Sequence, residues 1–228
     1  CAWNPVKIVD PNGDSIRVSG TQAQMEDVVN ALNASYAYLT FNHDANGSIV
    51  LEPSLCNPKT KGEKRTMAYI QMMIGDNNVV SILTVCPDRK FVDKKDGKCV
   101  LMRENVHSAF GGNSLIGDNV ECYQYIDYPA LNAISMKTCG YKLNNPESPL
   151  ECNLLGKIIM HEFAEGYEGG LRAIGTRRSL DRNSQDDYVS SHIRAGILFP
   201  GDATQYYDNN GNRIENVWIL GIQKLKNQ

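Results

Sequence analysis

Residues 148–170 read SPLECNLLGKIIMHEFAEGYEGG, with His161, Glu162 and Glu165 at the centre. Ser148 and Glu151 stand at the spacing of a capping box, and Pro149 takes the first helical position, where a missing N–H costs nothing. Leu154, Leu155, Ile158, Ile159 and Phe163 recur every three or four residues and Gly169-Gly170 supplies a stop, so the stretch predicts a largely buried helix of about five turns. His161 and Glu165 are four apart, which stacks an imidazole and a carboxylate on one face about 5–6 Å apart at Cβ. Leu154 and Ile158 lie on the same stripe. Ionisable groups on a stripe that is otherwise apolar are costly to bury unless they pair or bind a metal.

Two ligands do not complete a catalytic metal site, which takes three protein donors and leaves a position for water. Of the other histidines, His43 lies in the turn-rich FNHDANGS and reads as a solvated surface residue. His107 precedes Ser108-Ala109-Phe110-Gly111-Gly112 and is a reserve ligand. His192 lies in NSQDDYVSSHIRAGILFPG, where Ser184 and Asp187 read as helix caps and Pro200 as a stop. Tyr188, His192 and Ala195 share one face of that second helix, which can turn the His192 ring back toward the first. The ligand set expected is His161, Glu165 and His192. Without a metal, the same residues read as a buried ion pair on a helix.

His161-Glu162-x-x-Glu165 resembles the His-Glu-x-x-His signature of zinc metallopeptidases, in which the end residues hold Zn²⁺ and the inner Glu is the general base. The arrangement is similar to the gluzincin type, with a Glu and a His exchanged between the two helices. That resemblance implies an α+β, zincin-like domain with a small sheet and a buried metal-binding helix. It also implies a polypeptide substrate hydrolysed by metal-activated water, with Glu162 as base and Tyr167 or Tyr188 as hydrogen-bond donor to the oxyanion. An edge strand beside the zinc helix pairs with extended substrate in such enzymes, and Val120–Ile126, flanked by Gly117, is the candidate for it; the other reading of the same stretch, and the favoured one, is an arm of an ordinary hairpin.

Asn4-Pro5-Val6 followed by Asp10-Pro11-Asn12-Gly13 resembles the closing segment of the RHS-repeat-associated core domain. The resemblance covers residues 1–14 and implies that residues 15–228 are a C-terminal effector or toxin module. Such a module would be secreted or displayed at the cell surface, and a cognate immunity protein is an implied partner. Cys1 offers a rival reading as a lipoprotein acylation site that anchors the chain. Opening on Cys1 rather than Met, the chain is expected to be a processed or truncated product. A second function class remains: a non-catalytic surface adhesion or recognition module of an RHS-type or lipoprotein chain.

With 228 residues and a net charge of −3, one domain with a sizeable core is expected, and nucleic acid is not an expected partner. No apolar run is long enough for a transmembrane segment. Seven cysteines without a C-x-x-C pair suit an exported chain with disulfides of open connectivity, or small buried hydrophobes. A Cys/His hydrolase using Cys122 or Cys139 with His107 is a weaker reading, because nothing nearby activates those thiols.

Along the chain, Ser15–Val18 alternates like a strand, and Thr21 with Gln24 forms a capping box for a helix through Met25, Val28, Val29, Leu32 and Tyr36. Ser48–Leu51 reads as a strand, Lys59–Arg65 as a polar connector, and Met67–Ile74 as helix or strand. β-Branched Val79–Val85 reads as a central strand. Asp88–Lys98 reads as a solvated loop, Cys99–Arg103 as a strand, Gly111–Gly117 as a flexible stretch, and Asp208–Asn212 as a hairpin turn between Tyr206-Tyr207 and Val217–Ile219.

Overall fold

Val79–Val85 carries buried side chains on both faces of a seven-residue strand, as a central strand must. A computed structural model places it inside a four-stranded sheet and describes residues 15–86, 90–92, 99–101, 108–147, 152–180, 184–199, 206–207 and 213–214. The order of elements is β1 (Ile16–Ser19), α1 (Gln22–Ser35), β2 (Phe41–His43), β3 (Ile49–Leu51), α2 (Lys61–Ile74), β4 (Val79–Val85), β5 (Lys90–Val92) and β6 (Cys99–Leu101). There follow β7 (Ser108–Ile116), β8 (Asn119–Ile126), α3 (Tyr128–Asn144), α4 (Leu154–Thr176), α5 (Gln185–Leu198), β9 (Tyr206–Tyr207) and β10 (Arg213–Ile214). The fold is α+β with a small mixed sheet.

The sheet runs β1-β4-β8-β7. β1, β4 and β8 are parallel, and β7 lies antiparallel to β8 at the border. Three short antiparallel pairs, β2–β3, β5–β6 and β9–β10, stand outside it. Val120–Ile126 forms the hairpin reading of this stretch, β8 pairing antiparallel with β7 across the turn at Gly117, and is not an edge strand, because β4 pairs with its other side. The expected flexible stretch Gly111–Gly117 is most of β7, whose register shifts between Phe110 and Asn113. Gly111 belongs to that bulge because a Cβ there would meet the Tyr125 ring at 2.3 Å.

Other expectations shift in detail. Lys59–Arg65 is not a connector: Lys61–Arg65 opens α2, where Thr60 and Glu63 form a reciprocal capping box. Met67–Ile74 is helix. Residues 90–92, expected in a loop, pair as β5 with β6. Tyr206-Tyr207 pairs with Arg213-Ile214, nearer the turn than Val217–Ile219. α3 was not expected at all; Asp127 starts it by accepting from the Ala130 N–H at 3.2 Å.

α4 lies against the β4–β8–β7 side of the sheet and is buried around almost its whole circumference, as a core helix is. It starts at Leu154, later than the capping-box reading, and residues 148–151 lie outside the described part. Asn153 precedes it at φ 63°, a left-handed conformation that Asn tolerates. The helix also runs past Gly169-Gly170 to Thr176 and ends at Arg177, φ 51°. Those glycines are contact points rather than a stop, since a Cβ on Gly170 would sit 2.4 Å from Val79 Cγ1 and 3.0 Å from Val120 Cγ1. Gly156 does the same toward α1, where a Cβ would meet the Ala31 carbonyl oxygen at 2.1 Å. Small residues let α4 sit close to both the sheet and α1.

A disulfide between Cys139 and Cys152 ties α3 to the start of α4. Among the described residues Cys56, Cys86 and Cys122 are free thiols. No helix among them is long and apolar enough to cross a membrane. Residues 1–14, with the RHS-like segment and Cys1, lie outside the described part, as does His107.

Candidate metal centre

His161, Glu162 and Glu165 occupy consecutive turns of α4, and α5 brings His192 across to them. α5 begins as its sequence predicts, with the Ser184 hydroxyl accepting from the Asp187 N–H at 3.4 Å. Asp187, fully buried, accepts both Nη atoms of Arg178, at 2.7 and 2.6 Å, and the Nε of Arg172 at 3.3 Å. This fork fixes the first turn of α5 against the end of α4. Further along, Arg194 of α5 reaches Glu168 of α4 at 3.4 Å, and Glu168 also accepts from the Tyr69 hydroxyl of α2 at 2.5 Å.

Three donor atoms converge as a result. His161 Nε2 lies 3.1 Å from His192 Nδ1, His192 Nδ1 lies 2.9 Å from Glu165 Oε2, and His161 Nε2 lies 3.6 Å from the same oxygen. The two imidazole centroids are 4.8 Å apart. Zinc bonds of 2.0–2.1 Å at tetrahedral angles would set neighbouring donors about 3.3 Å apart, and the three separations bracket that value. His161 Nδ1 donates to the Phe199 carbonyl at 2.7 Å, which leaves Nε2 with its lone pair directed at the cluster. A backbone carbonyl in this position is the usual orienter of a metal-bound imidazole. The residues fit a divalent ion: this buried group can hold one, and the separations alone do not select which.

Glu162 sits beside the cluster, buried, and hydrogen-bonded to the side chain of Ser108 at the start of β7. Burial, reinforced by the nearby Glu165 charge, pushes its carboxyl up to about 8. Burial also works to raise Glu165, but the imidazoles of His161 and His192 beside it, the latter within hydrogen-bond distance, hold that carboxyl below the usual carboxylate range. One carboxylate therefore stays ionised and ready as a ligand while its neighbour holds a proton more tightly, a division of labour typical of reacting sites. Glu162 Oε2 and Glu165 Oε1 are buried without a hydrogen-bond partner. Orphaned oxygens of this kind mark a place where an ion, a water or a substrate is missing its contacts.

Other expected residues are placed elsewhere. Tyr167 donates its hydroxyl to Asp76 at 2.8 Å and does not serve the cluster. Tyr188 lies one turn before His192 on α5, but its side chain is outside the described part. His43 closes β2 and contacts the Asp44 carbonyl, away from the centre. The thiol-based reading fails on both cysteines: Cys139 is in the disulfide, and burial pushes the fully buried Cys122 thiol far above its ordinary range. Ser108 and Phe199 were not singled out from sequence. Both contact the site only through tertiary structure, and neither carries a local signature.

Compared with protein-family models, curated proteins and solved structures, the chain matches none.

Proposed function

We propose that the chain is a zinc-dependent metallopeptidase, a hydrolase of peptide bonds, acting as a secreted effector module. The observation that carries this reading is the convergence of His161 Nε2, His192 Nδ1 and Glu165 Oε2 beside a fourth buried group, Glu162, with an unused oxygen. Zinc held there would supply an acidified water and polarise the scissile carbonyl. Glu162, adjacent to the ligand His161, is placed to take a proton from the attacking water and pass it to the leaving amine, and its raised affinity for protons suits both halves of that transfer. Ser108 holds the Glu162 carboxyl toward the sheet. Phe199 fixes the His161 tautomer through its carbonyl. β7 is the border strand of the sheet, and its first residue touches the base, so an extended peptide lying along β7 would come close to Glu162. This replaces β8 in that role.

A second reading rests on one observation: all four groups are shielded from solvent. Burial of every donor suits a non-catalytic adhesion or recognition module in which the cluster only fastens α5 to α4. Metal analysis of the purified chain, followed by casein or peptide cleavage with and without chelator, separates the two. Stoichiometric zinc and chelator-sensitive cleavage lost in Glu162→Gln support the peptidase. Stoichiometric zinc with no cleavage of any peptide supports the module, and absence of metal removes the centre altogether.

A further inference from the structure

We propose that Gln124 is a positioning residue of the metal centre, its carboxamide serving the unused oxygens of Glu165 and Glu162 through one bridging water. Gln124 is at the middle of β8, paired with Leu83 of β4 on one side and Phe110 of β7 on the other. It is fully buried, yet neither its Oε1 nor its Nε2 has a hydrogen-bond partner. A buried amide left unsatisfied is destabilising, since its lost hydration is not replaced. The positions two residues either way on the same face are Cys122 and Ile126, both in the apolar core, so a hydrophobic side chain would be accommodated here without that penalty.

The amide is directed at α4. Gln124 Cγ lies 3.4 Å from where a Cβ on Gly166 would stand. Gly166 immediately follows Glu165 and lies one turn beyond Glu162. A Cβ on Gly166 would stand 2.2 Å from Ser81 Oγ, so the bare glycine lets α4 approach β4 closely, and Gln124 on the adjoining strand comes with the sheet to this side of the helix, beside the two residues that each keep one orphaned oxygen. The chemistry is complementary: Nε2 carries two N–H donors, and a bridging water relays them to the carboxylates. Carboxylates that bind metal are themselves held by hydrogen bonds, and Glu165 Oε1 otherwise has none. Thr84 Oγ1, another buried hydroxyl without a partner, is on the opposite face of the sheet, since side chains alternate along β4 and Ser81 faces α4 through its bond to the Phe163 carbonyl.

This inference rests on the metal reading of the cluster. Its test is zinc affinity, measured by competition with a chromogenic chelator on the full chain, alongside thermal unfolding of the metal-free protein. Gln124→Met, close in size but without donors, is expected to leave metal-free stability unchanged or higher and to weaken zinc binding about 10–100-fold. Thr84→Val is expected to keep wild-type affinity. Gln124→Leu, which also lacks donors and matches the apolar neighbours Cys122 and Ile126, covers the case in which the Met variant does not fold, and is expected to weaken binding likewise. Wild-type affinity in the folded Gln124 variants, or equal losses in Thr84→Val, overturns the role of Gln124 while leaving the centre intact. Failure of the wild-type chain to take up zinc overturns both.

Discussion

His161 on α4 and His192 on α5 are 31 residues apart, yet their Nε2 and Nδ1 atoms face each other at 3.1 Å. The contact joins a ring of α4 to a ring of α5 and so reports how the one helix lies on the other. Two lone pairs aimed at one another are repulsive, and the contact persists only with a proton or an ion between them. Glu165 Oε2, 2.9 Å from the His192 nitrogen, supplies the negative charge that favours either occupant. A zinc ion satisfies all three donors together, whereas a single proton satisfies at most two.

Zinc content should therefore respond to each ligand and not to its neighbours. His161→Ala, Glu165→Ala and His192→Ala are expected to abolish stoichiometric zinc, measured by elemental analysis after dialysis, while His43→Ala keeps it. Glu162→Gln should retain zinc and lose turnover by several orders of magnitude. Full activity in that variant removes Glu162 as the base. Chelation of the wild-type chain should lower stability by about 4 kcal/mol if free zinc had stood at a thousand times its dissociation constant.

The metal-free protein should lose stability as pH rises from about 5 to 8. Glu162 has a folded value near 8 against an ordinary 4.5, so the folded state binds more protons than the unfolded one across that window. Stability from this group is complete below pH 4.5 and is lost as pH climbs toward 8. Glu165 is shifted downward, and its contribution is lost only at more acid pH. Melting temperatures in chelator at pH 5 and pH 8 measure the slope, and Glu162→Gln should flatten it. An unchanged slope in that variant means that another group titrates.

What could be read in the sequence was what is local. The four-residue spacing of His161 and Glu165 and the cap at Ser184 depend on neighbours along the chain, so the two helices and three donors were legible. Gly169-Gly170 was not, because a glycine pair that ends a helix and one that admits a sheet look alike until Val79 and Val120 are known to lie opposite. The border strand was misplaced for a similar reason: β7 and β8 are both glycine-flanked or β-rich, and only pairing with β4 shows which is interior. Lys59–Arg65 differs in kind: the Thr60–Glu63 capping box is present in the sequence, but it lies in a run of charges that suits a solvated loop equally well. Phe199 and Ser108 meet the site by their carbonyl and hydroxyl across sequence gaps of 38 and 54 residues, and no motif encodes that; Gln124 is turned toward α4 only by the pairing of β8 with β4.

The glycines on the helices should separate by what surrounds them. Gly156→Ala drives a methyl into the Ala31 carbonyl, backbone that cannot turn aside, and is expected to cost about 1–3 kcal/mol. Gly140→Ala, within α3 and with nothing inside 4 Å, should instead stabilise by roughly 0.5–1 kcal/mol through lower unfolded-state entropy and better helix propensity. Urea unfolding of both variants, with zinc removed, decides this. Destabilisation of equal size at both positions would mean that α1 and α4 do not cross at Gly156.

Asp187 should matter to the metal although it does not touch it. Its carboxylate receives the Arg178 fork and the Arg172 Nε, and its own carbonyl accepts the hydroxyls of Ser190 and Ser191, so the first turns of α5 are fastened to the end of α4. His192 is five residues further along, rigidly carried by the same helix. Asp187→Ala is expected to loosen α5 and weaken zinc binding by about tenfold, the lower end of what loss of a supporting contact costs. Arg178→Lys keeps the charge but not the two-pronged geometry, and should fall between wild type and Asp187→Ala. Zinc titration of the three proteins, with helix content followed by circular dichroism, provides the check. Wild-type affinity in a folded Asp187→Ala chain would show that contacts nearer His192, such as Arg194 to Glu168, are enough to place the ring.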